Sequence, residues 1–233
     1  MQKIKAITIT LFVVACGLIF ASAKECNDVI KSVDNNEMKI ALSFDDGPHP
    51  LYTPEILYIL REHQIKATFF VIGKNASYYP EILSHLNEEG HEIGNHTFTH
   101  SLKKNINKKD MTEELQKSSE IIKKICGYEV RLFRPPGGIL NNSIRETAND
   151  LGYKIVLWNI DTRDWANVSV DSITKNVLQN TKSGSIILFH DYIYKNSPTA
   201  EALRTIIPTL KERGYLFVTV GELIDSSQKT NTN

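Results

Sequence analysis

Two short clusters of potential metal ligands lie in the first half of this chain. Asp45 and Asp46 end an apolar run, and His96 and His100 stand four residues apart. A metal that activates water needs about three protein ligands and one open position, which one Asp and two His can supply. Each cluster alone is more often a turn or a surface pair, but the two together, each after an apolar run, indicate a metal site. Because successive side chains of an extended segment point to opposite sides, one Asp can be a ligand while the other acts as a base.

The elements that must position these residues alternate between helix and strand. Five times a helical pattern closes on a glycine, and a β-rich apolar run follows. Glycine just past a helix end adopts the left-handed conformation without steric cost, so each run is expected to be the next strand. Together with earlier runs at 38–44 and 66–72, this predicts an α/β fold with a parallel sheet of about seven strands, enough for a closed or nearly closed barrel. The five later runs are 91–93, 128–133, 153–158, 185–189 and 215–220.

Further polar residues follow the later strands. An arginine and two prolines at 134–136 follow the fourth predicted strand, residues 161–165 the fifth, and His190 the sixth. All the clusters therefore stand at carboxyl ends of strands, the face on which such barrels build their active sites. Of the remaining histidines, His49 is expected to line this face, whereas the position of His91 beside a helix end is typical of a surface or capping residue.

The motifs together resemble the polysaccharide deacetylase family, carbohydrate esterase family four. The resemblance spans about residues 38–224 and implies a distorted (β/α) barrel that uses a divalent metal to hydrolyse N-acetyl or O-acetyl groups on sugars. It is carried by Ser-Phe-Asp-Asp-Gly at 43–47, His-Thr-Phe-Thr-His at 96–100, Arg-Pro-Pro-Gly at 134–137, Asp-Thr-Arg-Asp-Trp at 161–165 and Leu-Phe-His-Asp at 188–191.

The resemblance assigns five residues to the reaction itself. It implies that Asp46, His96 and His100 bind the metal, that Asp45 is the general base and that His190 is the general acid. The chemistry is consistent with these roles, because an aspartate is ionised at neutral pH and can accept a proton from water. A histidine whose pKa is raised by a neighbouring carboxylate can protonate the leaving amine.

Five more residues receive supporting roles. The resemblance implies that Arg134 orients Asp45, that Asp164 orients His190, and that a backbone N–H at Gly137 helps to bind the oxyanion. Trp165 and Leu188 are expected to line the substrate site, with a place in the core as the alternative. Many family members have an aromatic residue after Pro-Pro where this chain has Gly137, so the aromatic wall over the substrate is expected to be missing.

The metal and the substrate are predicted only by class. One Asp and two His suit zinc, cobalt, nickel or iron, and we expect Zn²⁺, with Co²⁺ or Ni²⁺ as alternatives. The expected substrate is an acetylated amino-sugar polymer or oligomer, with N-acetylglucosamine or N-acetylmuramic acid of peptidoglycan favoured. The alternatives are a chitooligosaccharide deacetylase, an acetylxylan esterase, and a non-catalytic carbohydrate-binding relative. The last of these predicts the loss of a ligand, acid or base, and none is missing from the sequence.

The amino terminus is typical of a secretory leader. A basic start is followed by an apolar stretch at 6–20 and by Ala-Ser-Ala at 21–23, a suitable cleavage site. An alternative is lipoprotein processing, since Val-Val-Ala-Cys ending at Cys16 resembles a lipobox. Either route predicts an extracellular or cell-surface protein. We expect it to contact the membrane only through its leader or a lipid anchor. A disulfide between Cys26 and Cys126 is permitted outside the cytosol, but the sequence does not establish it.

The remaining chain is the size of one domain. We expect a linker at 24–37, a catalytic domain at 38–224 and a flexible tail at 225–233. Lysine and arginine, 27 in all, balance 27 aspartates and glutamates, so the formal net charge is zero. A neutral chain shows no electrostatic footprint for nucleic acid. We expect a monomer.

Overall fold

The structure is a computed structural model that describes residues 29–34, 36–166, 168–192 and 196–230. The predicted leader at 1–23, with Cys16, and the first residues of the predicted linker, with Cys26, lie outside the described residues. The expectations about processing and about the disulfide therefore stay predictions.

Strands and helices alternate along the described chain. The strands are β1 (Lys39–Asp45), β2 (Thr68–Val71), β3 (Glu92–Asn95), β4 (Leu132–Phe133), β5 (Lys154–Ile155), β6 (Ile160–Asp161), β7 (Ile186–His190) and β8 (Leu216–Phe217). The helices are α1 (Tyr52–Glu62), α2 (Gly73–Tyr78), α3 (Pro80–Glu88), α4 (Lys108–Cys126), α5 (Asn142–Asp150), α6 (Val170–Asn180), α7 (Thr199–Glu212) and α8 (Val220–Thr230). Two short 3₁₀ turns cover Pro136–Gly138 and Asp164–Ala166.

The strands form one parallel sheet in the order β5-β4-β3-β2-β1-β7-β6, and β8 pairs with the start of β1. The predicted distorted (β/α) barrel with about seven parallel strands is confirmed. The two-residue strand β6 was not predicted separately. Its second residue, Asp161, belongs to the polar motif at 161–165, and only Ile160 precedes that motif. The register brings the ends of β1 and β7 level, with Asp45 opposite His190.

The alternation of side chains along β1 determines what faces each side of the sheet. Ile40, Leu42 and Phe44 lie fully buried in the larger apolar cluster, which the surrounding helices share. Ala41 lies in a second cluster, which includes Val220, Leu223 and Ile224 of α8. Because side chains alternate with a period of two, Ser43 and Asp45 share the face of Ala41. The end of β1 therefore places a polar residue and a carboxylate on that face.

Both ends of the described chain differ from the expectations for linker and tail. The Ile30 N–H donates to the carbonyl of Ile155 at 2.9 Å, and the Val33 N–H donates to the carbonyl of Gly184 at 2.9 Å. The described part of the predicted linker is therefore packed on the sheet. Helix α8 continues to Thr230, so the predicted flexible tail is helical over its first residues. None of the helices in the described ranges is long and apolar enough to cross a membrane.

Candidate active site

Asp45, the last residue of β1, forms a buried ion pair with Arg134, which directly follows β4. The Asp45 side chain is almost completely buried, and Arg134 is fully buried. Arg134 Nη1 donates to Asp45 Oδ1 at 2.7 Å and to Ser43 Oγ at 3.0 Å. Its Nε and Nη2 donate to the carbonyls of Val156 and Leu157 at 3.3 and 3.0 Å. Burial lowers the pKa of Arg134, and the charge of Asp45 and its hydrogen bond oppose that shift. The guanidinium thus occupies one oxygen of Asp45 and fixes the plane of the carboxylate.

Asp46, His96 and His100 bring three potential ligand atoms within 4.8 Å of one another. Asp46 Oδ1 lies 3.3 Å from His96 Nε2 and 3.2 Å from His100 Nε2. Burial on its own would raise the pKa of Asp46, but the two imidazoles hold it well below its ordinary value. Asp46 Oδ1 is nevertheless buried without a hydrogen bond of acceptable geometry. A buried anionic oxygen that faces two ring nitrogens but makes no hydrogen bond fits a metal ligand.

The other ring nitrogen of His96 fixes its tautomer. His96 Nδ1 lies 2.6 Å from the carbonyl oxygen of Arg134. A carbonyl only accepts, so Nδ1 must carry the proton, and this leaves Nε2 as the ring nitrogen that can bind a metal. The contact arises because β3 and β4 are neighbours, with Asn95 opposite Phe133 in the register. The sheet therefore both places His96 and prepares it to bind a metal.

Asp191 supports the turn that carries Asp46, and the sequence analysis gave it no role. The Gly47 N–H donates to Asp191 Oδ1 at 2.9 Å, and Thr53 Oγ donates to Asp191 Oδ2 at 2.6 Å. A Cβ on Gly47 would lie 2.0 Å from Asp191 Oδ2, so only glycine fits there. Burial raises the pKa of Asp191 to about 7, although both hydrogen bonds oppose the shift. The only sequence signal was an acidic residue next to His190.

His190, the last residue of β7, is paired with buried Asp164. His190 Nδ1 lies 2.7 Å from Asp164 Oδ1, and the His190 backbone N–H donates to Asp164 Oδ2 at 2.8 Å. Thr199 Oγ1 also donates to Asp164 Oδ2, at 2.7 Å. Burial alone would lower the pKa of His190. The hydrogen bond and charge of Asp164, followed by the charges of Asp45 and Asp46, outweigh it and raise the pKa to about 9.

Asp45, held by Arg134, and His190, held by Asp164, lie at the ends of adjacent strands beside the potential metal ligands. Asp45 Oδ2, the oxygen that Arg134 Nη1 does not contact, lies 3.7 Å from His96 Nε2. Asp45 and His190 are register partners on adjacent strands. The structure therefore brings together all seven residues to which the sequence analysis assigned a ligand, base, acid or orienting role: Asp45, Asp46, His96, His100, Arg134, Asp164 and His190.

Comparison with known proteins identifies the family. The sequence profile described as polysaccharide deacetylase matches residues 32–156. The chain belongs to the polysaccharide deacetylase family. It is 45% identical over 194 residues to a peptidoglycan-N-acetylglucosamine deacetylase of Bacillus cereus, a match that covers 82% of this chain and 91% of that protein. It is 39% identical over 193 residues to a peptidoglycan-N-acetylmuramic acid deacetylase of Bacillus subtilis, covering 83% of this chain and 40% of that protein.

A solved structure supports the same relationship. The crystal structure of a peptidoglycan N-acetylglucosamine deacetylase in complex with a benzamide compound aligns with a TM-score of 0.82 at 39% identity. The alignment covers 85% of this chain and 94% of that one. The polysaccharide deacetylase fold therefore extends over most of the chain, well beyond the residues that the family profile matches.

Three residues of this polysaccharide deacetylase were expected to contact substrate, and they lie in three different environments. Gly137 lies in the 3₁₀ turn after β4 with a φ of 59°. Trp165 is 55% exposed, whereas the Leu188 side chain is buried in β7 at 2% exposure. The Leu188 carbonyl accepts a hydrogen bond from Thr162 Oγ1 at 2.7 Å. The Leu188 side chain therefore packs inside this structure, whereas the Trp165 side chain is accessible.

Two of the four remaining histidines, His49 and His91, lie in different environments. His49 Nδ1 accepts the N–H of Leu51 at 3.2 Å. The His49 ring makes a T-shaped contact with the ring of Tyr192, the residue after Asp191. The expectation that His91 is a surface residue is wrong, because it is only 4% exposed. Its Nδ1 accepts the N–H of Ala67 at 3.2 Å, and burial lowers its pKa to about 4. His91 follows a helix end, but it also precedes a buried strand, and the strand determines its environment.

Proposed function

We propose that this chain is a metal-dependent deacetylase that removes N-acetyl groups from the amino sugars of a cell-wall glycan, with peptidoglycan as the substrate. The observation that carries the proposal is one cluster of Asp46, His96 and His100 beside Asp45 and its register partner His190. A potential ligand set beside an oriented carboxylate and an oriented imidazole is what hydrolysis of an amide requires.

Asp46, His96 and His100 would hold the metal. The donor set fits a divalent ion of borderline softness, and we propose Zn²⁺, with Co²⁺ and Ni²⁺ as chemically suitable alternatives. The buried Asp46 oxygen that makes no hydrogen bond and the His96 Nε2 atom that lies 3.3 Å from it support this assignment. When bound, such an ion polarises a carbonyl group and lowers the pKa of water.

Asp45 would act as the general base. Arg134 holds Oδ1, which leaves Oδ2 on the side of His96 as the oxygen able to accept a proton from the attacking water. A carboxylate oxygen that is not held by the guanidinium can act as an acceptor for that proton. Arg134 would therefore be a positioning residue, because it contacts the base and not the reacting atoms.

His190 would act as the general acid. Its Nδ1–H is directed to Asp164, so Nε2 is the atom that can protonate the leaving nitrogen. With a pKa raised to about 9, the imidazole is protonated at neutral pH. The attacking water gives one proton to Asp45, and the oxygen of that water forms the new bond to the acetyl carbon. The C–N bond then breaks, and His190 protonates the leaving amine. A backbone N–H at Gly137 would stabilise the oxyanion during this step.

The relatives' names and the accessible aromatic side chain support an amino-sugar substrate. Two similar proteins are named as deacetylases of N-acetylglucosamine or N-acetylmuramic acid in peptidoglycan. Trp165 directly follows Asp164 in a 3₁₀ turn, and its side chain is exposed. A sugar ring can stack on such an aromatic side chain. We further propose that the leader predicted at 1–23 exports the protein to this substrate.

The test compares three polymers in parallel. Purified protein is incubated with peptidoglycan, chitooligosaccharides and acetylxylan, and the released acetate is measured against an Asp45→Asn control. The proposal predicts the fastest release from peptidoglycan. Faster release from chitooligosaccharides or from acetylxylan would retain the deacetylase chemistry but refute the proposed substrate.

A further inference from the structure

The loop that carries the two histidines has a strained backbone. Thr97 has a φ of 68° and His100 a φ of 59°. Residues with a side chain rarely adopt this left-handed conformation, and a β-branched residue such as Thr97 does so least readily. Such conformations persist only where surrounding contacts impose them. The position of His100 therefore depends on whatever holds this loop.

Glu114, on α4, makes three hydrogen bonds to the loop through one carboxylate. Its Oε2 accepts the N–H of Phe98 at 3.0 Å and the N–H of Thr99 at 2.8 Å. Its Oε1 accepts the hydroxyl of Thr99 at 2.7 Å. Hydrogen bonds to an ionised acceptor are stronger than those between neutral groups. Glu114 thus binds the two residues that separate Thr97 from His100.

The opposite side of the loop is held by the start of α2. The Gly73 N–H donates to the carbonyl of Thr97 at 2.9 Å, and the Lys74 N–H donates to the carbonyl of Phe98 at 3.0 Å. The carbonyls of Thr97 and Phe98 therefore face α2, whereas the amides of Phe98 and Thr99 face Glu114. Loss of Glu114 would leave one side of the loop held by α2 and the other without its acceptor.

We propose that Glu114 is a positioning residue for the metal site, because it holds the loop at 96–100 in the conformation that directs His100 to Asp46. The inference rests on the proposed metal site but concerns a residue outside it. His96 is fixed independently by its bond to the Arg134 carbonyl. Loss of Glu114 should therefore act mainly on His100.

The test measures Co²⁺ binding to the metal-free protein. Affinity is determined by competition with a chromophoric chelator, and the visible absorption of Co²⁺ reports the coordination geometry. Groups that orient metal ligands typically contribute about 10–100-fold in affinity, so Glu114→Ala should weaken Co²⁺ binding by that factor and change the spectrum. The matched control is Glu113→Ala, an exposed glutamate next to it on the same helix, which should leave both unchanged.

Two further variants separate hydrogen bonding from a general loss of packing. In Glu114→Gln, the amide oxygen can accept both backbone N–H groups while the NH₂ donates to the Thr99 hydroxyl, so affinity should be restored to near the parent value. Glu114→Asp keeps the charge, but its side chain is one methylene shorter, so its Co²⁺ affinity should stay as low as that of Glu114→Ala. It also provides the test if Glu114→Ala does not fold.

The outcomes are distinct. Hydrogen exchange at the amides of Phe98 and Thr99 should accelerate in Glu114→Ala and stay slow in Glu114→Gln. Parent-like Co²⁺ affinity in Glu114→Ala or in Glu114→Asp would overturn the inference while leaving the proposed function intact, as would a Gln variant as weak as the Ala variant. A parent protein that binds no Co²⁺ would refute the metal site itself.

Discussion

Replacing Asp164 with Asn should move the alkaline limb of the pH profile to lower pH. In the proposed reaction His190 must be protonated, so activity is present below its pKa and is lost as the pH rises through that value. Burial would lower this pKa, but Asp164 leads the groups that raise it to about 9 from an ordinary value of 6.5. That difference corresponds to about 3 kcal/mol in favour of the imidazolium.

The hydrogen bonds around Asp164 determine how the Asn side chain must lie. The His190 backbone N–H donates to Oδ2, so the amide oxygen of Asn must occupy that position. The NH₂ group then faces His190 Nδ1, where it can only donate. The substitution therefore removes the negative charge and also opposes a proton on Nδ1. With burial unchanged, the pKa of His190 should return to its ordinary value or below, a shift of at least about two units.

The assay is kcat/KM for acetate release, measured from about pH 5 to about pH 10, since this quantity reports the ionisations of the free enzyme. The charge-matched control is Asp171→Asn, an exposed residue on α6, which should leave the alkaline limb in place. If activity falls in Asp164→Asn but the limb does not move, the pairing of Asp164 with His190 does not control the acid, and the reasoning fails.

Two further predictions concern the turn after β1. Asp45→Asn should abolish turnover with metal content near normal, because the amide keeps the shape but cannot accept a proton, whereas Asp46→Asn should reduce both; elemental analysis showing metal loss in Asp45→Asn would mean that the two roles are reversed. Gly47→Ala should lower the free energy of unfolding by about 1–3 kcal/mol, because the new Cβ would displace the Asp191 carboxylate and leave buried groups unpaired. An unchanged denaturant midpoint would contradict this reading of Asp191.

The sequence was sufficient to place the main site residues because they follow strands of a parallel sheet. Asp45 and His190 are the last residues of β1 and β7, and His96 and Arg134 directly follow β3 and β4. Parallel strands bring such positions to one edge whatever the details of the connecting helices. The strand order needed the structure, since the sequence pattern contains no information about which strands pair.

Two residues that hold loops of the site, Asp191 and Glu114, were not predicted, for a physical reason. Asp191 and Glu114 act through backbone N–H groups of segments that are distant in sequence or on another element. A carboxylate on a helix or after a strand has the same sequence signal whether it is solvated or bonded to a loop. The burial of His91 was also missed, because only the packing around a strand shows how far its ends are covered.

The central claim is that hydrolysis depends on a metal held by Asp46, His96 and His100. The most direct test adds Zn²⁺ stepwise to the metal-free protein and measures acetate release from peptidoglycan. The account predicts no release without metal, a rise that is complete near one equivalent, and neither bound metal nor activity in His100→Ala, since two remaining ligands hold a divalent ion poorly. Undiminished release from the metal-free protein, or stoichiometric metal in active His100→Ala, would contradict it.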